Sequence, residues 1–492
     1  MPDTILAIDQ GTTGTTVMLL DQDLNVLAKG YREIMPIFPH PGWVEHDPED
    51  IWKSVLSALK IALKQGRVSR FDIKAIGVTN QRETIAVWNR KTGNPFHNAI
   101  VWQCRRTAGI CEELKEMGHE DLFVKKTGLV LDPYFSGTKL KWLFDNLSGL
   151  HKEAAAGRVA AGTIDTFLAW KLTDGRAHVT DVSNASRTLL MDLKTLDWDE
   201  RLCRILGVPL SILPEIRDSA GVFGHTRDVP GLPDGVPICG MAGDQQAALF
   251  GQACFEPGEA KCTYGTGAFL LMNTGPAPLL SNNRLLTTVA WKLGRQTTYA
   301  LEGSAFMAGA AVQWLRDGLK LITSAAEIED LAGAVPDTGG VTLVPAFAGL
   351  GAPYWRSEAR GLICGLTRST TRAHLARAVL EGIALQNVEI LQAMEADCGR
   401  KLRKLKVDGG AAANNLLMQM QADFLGREIV RPAMLETTAL GAAFLAGLGA
   451  GVWKETKDIA DVWKEDRAFV PQITDNERAA VLKRWREAVG KA

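Results

Sequence analysis

Apolar and polar positions along this chain fall into two rhythms. Ile5-Leu6-Ala7-Ile8 is an unbroken apolar run ending in Asp9, the pattern of a buried strand, and Gln10-Gly11-Thr12-Thr13-Gly14 turns it back into a second strand over 16–20. A third strand is predicted over 26–31. Over 45–65 the rhythm changes: Ile51, Val55, Leu56, Leu59 and Leu63 recur at three and four residues, which predicts an amphipathic helix with Asp47 or Asp50 as its cap. Residues 73–79 return to strand and end in Asn80-Gln81-Arg82-Glu83-Thr84. The stretch 106–190 reads mostly as helices, with turns near Gly128 and Gly162.

Near residue 240 the pattern restarts. A strand over 237–241 ends in Ala242-Gly243-Asp244-Gln245-Gln246, and a strand, Gly265-Thr266-Gly267 turn and second strand then occupy 261–272, as at the start of the chain. A strand over 402–407 runs into Asp408-Gly409-Gly410-Ala411, and a helix follows over 414–425. The expectation is two domains on one strand–hairpin plan, 1–250 and 251–455, with a helical tail over 456–492. No low-complexity linker separates them, so they should pack across a cleft and share a site there.

Composition narrows the class. A chain of 492 residues exceeds one compact core, and 46% hydrophobic residues exclude a disordered chain. Lys and Arg number 55 against 56 Asp and Glu, so there is no basic excess for nucleic acid. The longest uncharged runs, 340–355 and 439–453, fall short of a membrane span. Eight scattered cysteines, none spaced C-x-x-C, and no basic leader at Met1-Pro2-Asp3-Thr4 predict a cytoplasmic protein with reduced thiols.

Candidate chemistry lies at the strand ends. A Gly-Thr turn such as Asp9-Gln10-Gly11-Thr12-Thr13 offers backbone N–H groups and hydroxyls to phosphate, and Asp9 beside it suits Mg²⁺ held through water. Alone, this is as readily an ordinary hairpin. No G-x-x-x-x-G-K-[ST] and no G-x-G-x-x-G opening a helix are present, which weighs against P-loop and dinucleotide folds. The second hairpin at Gly265-Thr266-Gly267, and Gly409-Gly410 ahead of a helix, shift the balance toward a nucleotide gripped from two sides. Arg82, Glu83 and Asp244 follow apolar strands, where α/β folds place ligands. Each of them, like Trp102 and Tyr134, has an equally ordinary structural reading when taken alone.

Several long motifs carry a resemblance. They are Ala7-Ile8-Asp9-Gln10-Gly11-Thr12-Thr13, Phe38-Pro39-His40-Pro41-Gly42-Trp43-Val44-Glu45-His46-Asp47, Thr79-Asn80-Gln81-Arg82-Glu83-Thr84, Asp132-Pro133-Tyr134-Phe135-Ser136-Gly137-Thr138-Lys139 and Gly243-Asp244-Gln245-Gln246-Ala247-Ala248, with a further signature over 361–381. From about residue 5 to 453 the chain resembles the FGGY carbohydrate kinases, within the actin-like, sugar kinase and heat-shock ATPase superfamily.

The resemblance implies an α/β fold of two actin-like, ribonuclease H-like domains flanking a central cleft. It also implies phosphorylation of glycerol by ATP to sn-glycerol 3-phosphate, with Asp244 as general base. Arg82, Glu83, Tyr134, Asp244 and Gln245 would bond the hydroxyls while Trp102 and Phe269 pack on the carbon skeleton. Thr12, Thr13, Gly14, Thr266, Gly267, Gly309, Gln313, Gly410, Ala411 and Asn414 would hold ATP, with Asp9 and Asp244 on Mg²⁺. A homo-oligomer, dimer or tetramer, is expected.

Two departures stand out. After Tyr354-Trp355 the family commonly has Asp-Pro, whereas Arg356-Ser357 stand here, and a changed loop is expected. Some relatives are inhibited by fructose 1,6-bisphosphate through a Gly-Gly-Lys-Gly-Gly-Thr-Arg loop. This chain has Pro230-Gly231-Leu232-Pro233-Asp234-Gly235-Val236 there, which predicts insensitivity. The rival readings are a sister kinase acting on a pentulose or another polyol, and a nucleotide-switched binding protein.

Overall fold

A computed structural model of the chain describes residues 4–66, 69–356 and 358–492. Met1–Asp3 of the expected leaderless start, and Ser357, lie outside the described residues. The first large sheet is built from β1 (Thr4–Gln10), β2 (Gly14–Leu20), β3 (Val26–Glu33), β4 (Ile73–Asn80), β5 (Ala220–His225) and β6 (Pro237–Gly243), in the order β5-β6-β4-β1-β2-β3. β1, β4 and β6 run parallel and the outer pairs antiparallel.

The second sheet repeats that plan. It contains β7 (Ala260–Tyr264), β8 (Ala268–Gly275), β9 (Leu286–Leu293), β10 (Gln296–Ala305), β11 (Leu405–Asp408), β12 (Ile429–Pro432) and β13 (Glu465–Phe469), in the order β9-β10-β8-β7-β11-β12-β13. In each sheet a Gly-Thr hairpin joins the first two strands, and a later strand lies parallel to the first on its other side. The restart read in the sequence is this duplication.

Several features differ from the sequence reading, among them the strand expected over 402–407, which is Leu405–Asp408. The helix expected over 45–65 is α1 (Pro48–Gly66), because Glu45–His46 form a short strand against Ala99–Ile100. Asp47 caps it, accepting from the Glu49 amide at 2.9 Å, and Pro48 follows where a missing amide costs nothing. Gly162 is not a turn. It lies inside the buried strand Val159–Thr163, where a β-carbon would come 2.4 Å from Thr166. The stretch 456–492 is not helical throughout, since β13 supplies the edge of the second sheet between two helices.

Helices α2 (Asp244–Gly251) and α3 (Thr437–Gly449) cross between the sheets with little side chain separating them. A β-carbon on Gly441 would fall 1.8 Å from the Ala247 carbonyl, one on Gly77 of β4 2.1 Å from that of Ala442, and one on Gly240 of β6 2.3 Å from the Ala446 amide. Glycine is required at these points because backbone meets backbone. The C-terminal part of the chain thereby covers the N-terminal sheet: Ala439, Ala442, Ala443 and Ala446 share a buried cluster with Ile5, Ala7, Met18 and Leu20. On that sheet's other face, Ile51, Val55 and Leu59 of α1 pack with Leu6, Ile8 and Val17.

Most of the apolar run over 439–453 is thus internal helix, up to Gly449, and among the described residues no helix is long and apolar enough to cross a membrane. All eight cysteines are free thiols, six of them buried. The departure at Arg356 is a clasp: its guanidinium donates to the backbone oxygens of Val489 (3.2 Å), which ends the last helix, and of Ala492 (2.5 Å).

Candidate active site

β1, β4 and β6 run parallel, so their carboxyl ends bring Asp9, Arg82, Glu83 and Asp244 to one edge of the sheet. The turn after β1 is tied to the segment after β4. The Gln81 amide donates to the Gln10 carbonyl at 2.7 Å, and Gln81 Nε2 to Gln10 Oε1 at 3.0 Å. Glu83 adopts a left-handed φ of 59°, a conformation a glutamate holds only when its surroundings impose it. Here Ser136 Oγ donates to the Glu83 carbonyl (2.9 Å) and Arg187 Nε to its Oε1 (2.6 Å).

Arg82 is 2% exposed and held by several partners. Its Nη1 donates to Gln246 Oε1 (3.2 Å), its Nη2 to the Tyr134 hydroxyl (3.2 Å), and both nitrogens form a fork on Glu302. Nε has no hydrogen-bond partner and lies 3.2 Å from Asp244 Oδ1. Asp244 opens α2 and accepts from the Gln245 amide at 2.8 Å. Burial raises its carboxyl above the usual carboxylate range, opposed by the charges of Arg82 and Lys261. A proton acceptor of raised basicity beside an unspent N–H donor suits a hydroxyl that gives up its proton while it is held.

An apolar wall faces this pair. Trp102 meets Tyr134 edge-on at 5.6 Å and Phe269 of β8 at 6.1 Å. The Tyr134 segment is pinned by the buried Lys139, whose Nζ donates to the carbonyls of Pro133 (2.6 Å), Tyr134 (2.5 Å) and Phe135 (3.0 Å). The Trp102 indole N–H donates to Thr12 Oγ1 at 2.9 Å, linking this wall to the first hairpin. Gln245 accepts from Lys261 Nζ, which also donates to Thr263 Oγ1 (2.8 Å) and the Phe269 carbonyl (3.3 Å).

The second hairpin forms the opposite side. The helix Gly309–Asp317 docks on it, with Gly309 and Ala310 amides donating to the carbonyls of Gly265 (2.9 Å) and Thr266 (3.1 Å). Gln313 projects from that helix and is exposed. Gly409, at φ 86°, passes so close to Tyr264 that a β-carbon would fall 2.5 Å from its carbonyl, while Gly410 has open space before it. Asn414 caps the helix Asn415–Leu425 through Oδ1, which accepts from the Leu417 amide at 2.8 Å, and its amide nitrogen makes no such bond. In the first hairpin Thr12 and Thr13 are accessible, but the α-carbon of Gly14 faces Tyr31 and Arg32 of β3.

Asp9 is pushed up to about 7 by burial and by the charge of Asp244. Among the described residues no group of three or more His, Cys, Asp or Glu is arranged to hold a metal ion. A cation here would rest on these two carboxylates together with ligand or water oxygens.

Three charged residues escaped the sequence reading: Glu302, Arg187 and Lys261, all fully buried. Each had a signal. Glu302 is a lone acid in the apolar run of β10, Arg187 precedes Leu189-Leu190, and Lys261 sits four residues ahead of the Gly-Thr turn. The partners of Glu302 and Arg187 lie far along the chain, 220 residues for Arg82 and Glu302 and 104 for Arg187 and Glu83, whereas Lys261 bonds residues within 16 positions of itself.

Comparison with known proteins gives the family. Residues 4–251 match the N-terminal domain of the FGGY family of carbohydrate kinases, and 260–450 match its C-terminal domain. The chain is 60% identical to a glycerol kinase of Myxococcus xanthus and 57% identical to one of Bdellovibrio bacteriovorus, each over 490 residues and 99% of both chains. The solved structure of Plasmodium falciparum glycerol kinase with ADP superimposes with a TM-score of 0.93 at 40% identity, covering 100% of this chain and 98% of that one. With both halves of the chain matched, the chain belongs to the FGGY family of carbohydrate kinases.

Proposed function

We propose that this chain transfers the γ-phosphoryl group of ATP to glycerol, giving sn-glycerol 3-phosphate. The observation that carries it is the shell of Arg82, Glu83, Tyr134, Asp244 and Gln245 facing the Trp102–Phe269 wall between two Gly-Thr hairpins. Glycerol is small, neutral and flexible, so recognition needs paired hydrogen bonds around its hydroxyls and an apolar surface along its carbons. Asp244 takes the proton of the attacking hydroxyl while the Arg82 Nε–H holds that region of the substrate. A shell built this way disfavours analogues lacking a hydroxyl, because they leave buried groups unpaired.

Phosphoryl transfer asks the protein mainly for alignment and charge stabilisation. Thr12, Thr13 and Gly14 of one hairpin and Thr266 and Gly267 of the other flank the phosphates. Gly309, Gln313, Gly410, Ala411 and Asn414 receive the nucleoside. Asp9 and Asp244 would hold Mg²⁺, partly through water, and the ion would offset phosphate charge. The two neighbouring carboxylates, with Asp9 raised to about 7, support that fit. A homo-oligomer in the cytoplasm completes the reading, the reduced thiols favouring that compartment.

A coupled assay of ADP release with and without glycerol, repeated across pentuloses and other polyols, tests the proposal. Glycerol-dependent release with glycerol as preferred acceptor is expected. ATP turnover indifferent to glycerol would revive the nucleotide-switched binding protein, and preference for a pentulose the sister kinase.

A further inference from the structure

We infer that Glu302 is a positioning residue that aims Arg82 at the polyol and keeps it from closing onto Asp244. The inference rests on the assignment of Arg82 to the polyol shell. Glu302 belongs to β10 of the second sheet, whereas Arg82 and Asp244 end strands of the first. Its two oxygens take one N–H from each terminal nitrogen of Arg82, the geometry that best fixes a guanidinium plane. Gln246 and Tyr134 take the other two terminal N–H groups. Four of the five donors are thereby spent, and the fifth, Nε–H, is left at the cleft beside Asp244.

Without Glu302 the nearest carboxylates to Arg82 would be Asp244 at 3.2 Å and Glu83 at 3.8 Å. Glu83 is already engaged by Arg187 Nε. A buried guanidinium deprived of its fork would turn onto Asp244, tying up both the proton acceptor and the donor meant for substrate. Arg187 anchors Glu302 in turn, donating from Nη2 to Oε1 at 2.9 Å, and its guanidinium lies over the rings of Phe135 (5.3 Å) and Tyr134 (5.6 Å). Arg82, Arg187, Glu83 and Glu302 form a buried set of two cations and two carboxylates that spans both sheets.

The test is steady-state ADP release by the full chain carrying Glu302→Gln or Glu302→Asp, with Arg82→Lys alongside. Glycerol is varied at saturating ATP, and ATP at saturating glycerol. Glu302→Gln is expected to raise the KM for glycerol about tenfold or more, the usual scale for a charged hydrogen bond, with the KM for ATP within about threefold. Glu302→Asp, which keeps the charge, should recover part of the loss. An unchanged glycerol KM in Glu302→Gln, or equal rises in both KM values, overturns the inference. If Glu302→Gln does not fold, the same split in Glu302→Asp and Arg187→Lys decides. If Arg82→Lys itself leaves the glycerol KM unchanged, the assignment of Arg82 to the shell has failed; if it raises that KM while Glu302→Gln does not, only the role of Glu302 has.

Discussion

Nε of Arg82 lies 3.2 Å from Oδ1 of Asp244 without a hydrogen bond between them, so the guanidinium keeps one unspent N–H beside a carboxylate that accepts from the Gln245 amide. In the function proposed above, that donor would hold a hydroxyl while the remaining lone pairs of the carboxylate take its proton. This separates binding from chemistry, which makes the roles measurable one by one.

Asp244→Asn keeps the shape and the bond to the Gln245 amide but loses the proton acceptor. Glycerol and ATP binding should stay within about threefold of wild type, while kcat falls by roughly 10²–10⁴-fold. A variant with near-normal kcat at saturating substrates would sink the assignment.

Trp102 serves two neighbours, the aromatic wall and Thr12. Trp102→Ala should raise the KM for glycerol about tenfold or more, with a much smaller change for ATP, because an apolar wall contributes to binding in ground and transition states alike. Trp102→Phe should restore most of the glycerol KM and leave only the loss of the Thr12 bond. A larger effect on ATP than on glycerol would move Trp102 to the nucleotide side.

Asp165 gives the chain a pH-sensitive core. Burial, then the charge of Asp181, push its carboxyl up to about 7, against the bonds from Thr163 (2.5 Å) and Thr180 (2.6 Å). The ordinary carboxylate value is about 4, so between pH 4 and 7 the folded chain keeps a proton that the unfolded chain has lost. Stability from this group therefore falls as pH rises through that window. Asp165→Asn removes the titration, and its thermal midpoint relative to wild type should rise by at least ~1 °C between pH 5 and 8. A constant difference across that range contradicts the assignment.

Fructose 1,6-bisphosphate should not inhibit. In the segment 230–236 two residues are proline, and the amides of Leu232, Gly235 and Val236 are spent on Val229 O (3.0 Å), Thr226 O (2.8 Å) and Thr226 Oγ1 (2.9 Å). A neighbouring cavity of about 620 Å³ is lined by Arg176, Arg217 and Arg227, but Glu215 and Asp234 face it too. Arg217 is already paired with Glu215 at 2.9 Å. Titrating the bisphosphate to millimolar levels at several ATP concentrations checks this, and clear saturable inhibition would show the loop reading to be wrong.

The sequence reading found what is local and missed what is distant. Both Gly-Thr hairpins were legible because strand, turn and strand lie within about fifteen residues, and their repetition exposed the duplicated plan. Asp244, Arg82 and Glu83 stood out as polar ends of apolar strands. Glu302 did not, because its meaning depends on a partner in another sheet. β13 was hidden for a different reason: Glu465-Asp466-Arg467 has no apolar alternation, since an edge strand needs only one buried residue, Phe469, to dock. The helix cap made by the Asn414 side-chain oxygen is local too, since its partner is the Leu417 amide three residues on.

The crossing of α2 and α3 has a consequence for any attempt to divide the enzyme. The break between the two family segments falls at 252–259, yet the helix that roofs the first sheet comes from 437–449. A fragment ending at 251 would leave Ile5, Ala7, Met18 and Leu20 bare, and its complement would carry an alanine-rich helix with nothing to cover. Cleavage of the polypeptide at that link would leave two pieces that each depend on the other to cover this apolar cluster. What joins the halves is therefore this packed crossing as much as the peptide link, and separating the pieces, rather than cutting the link, is what removes it.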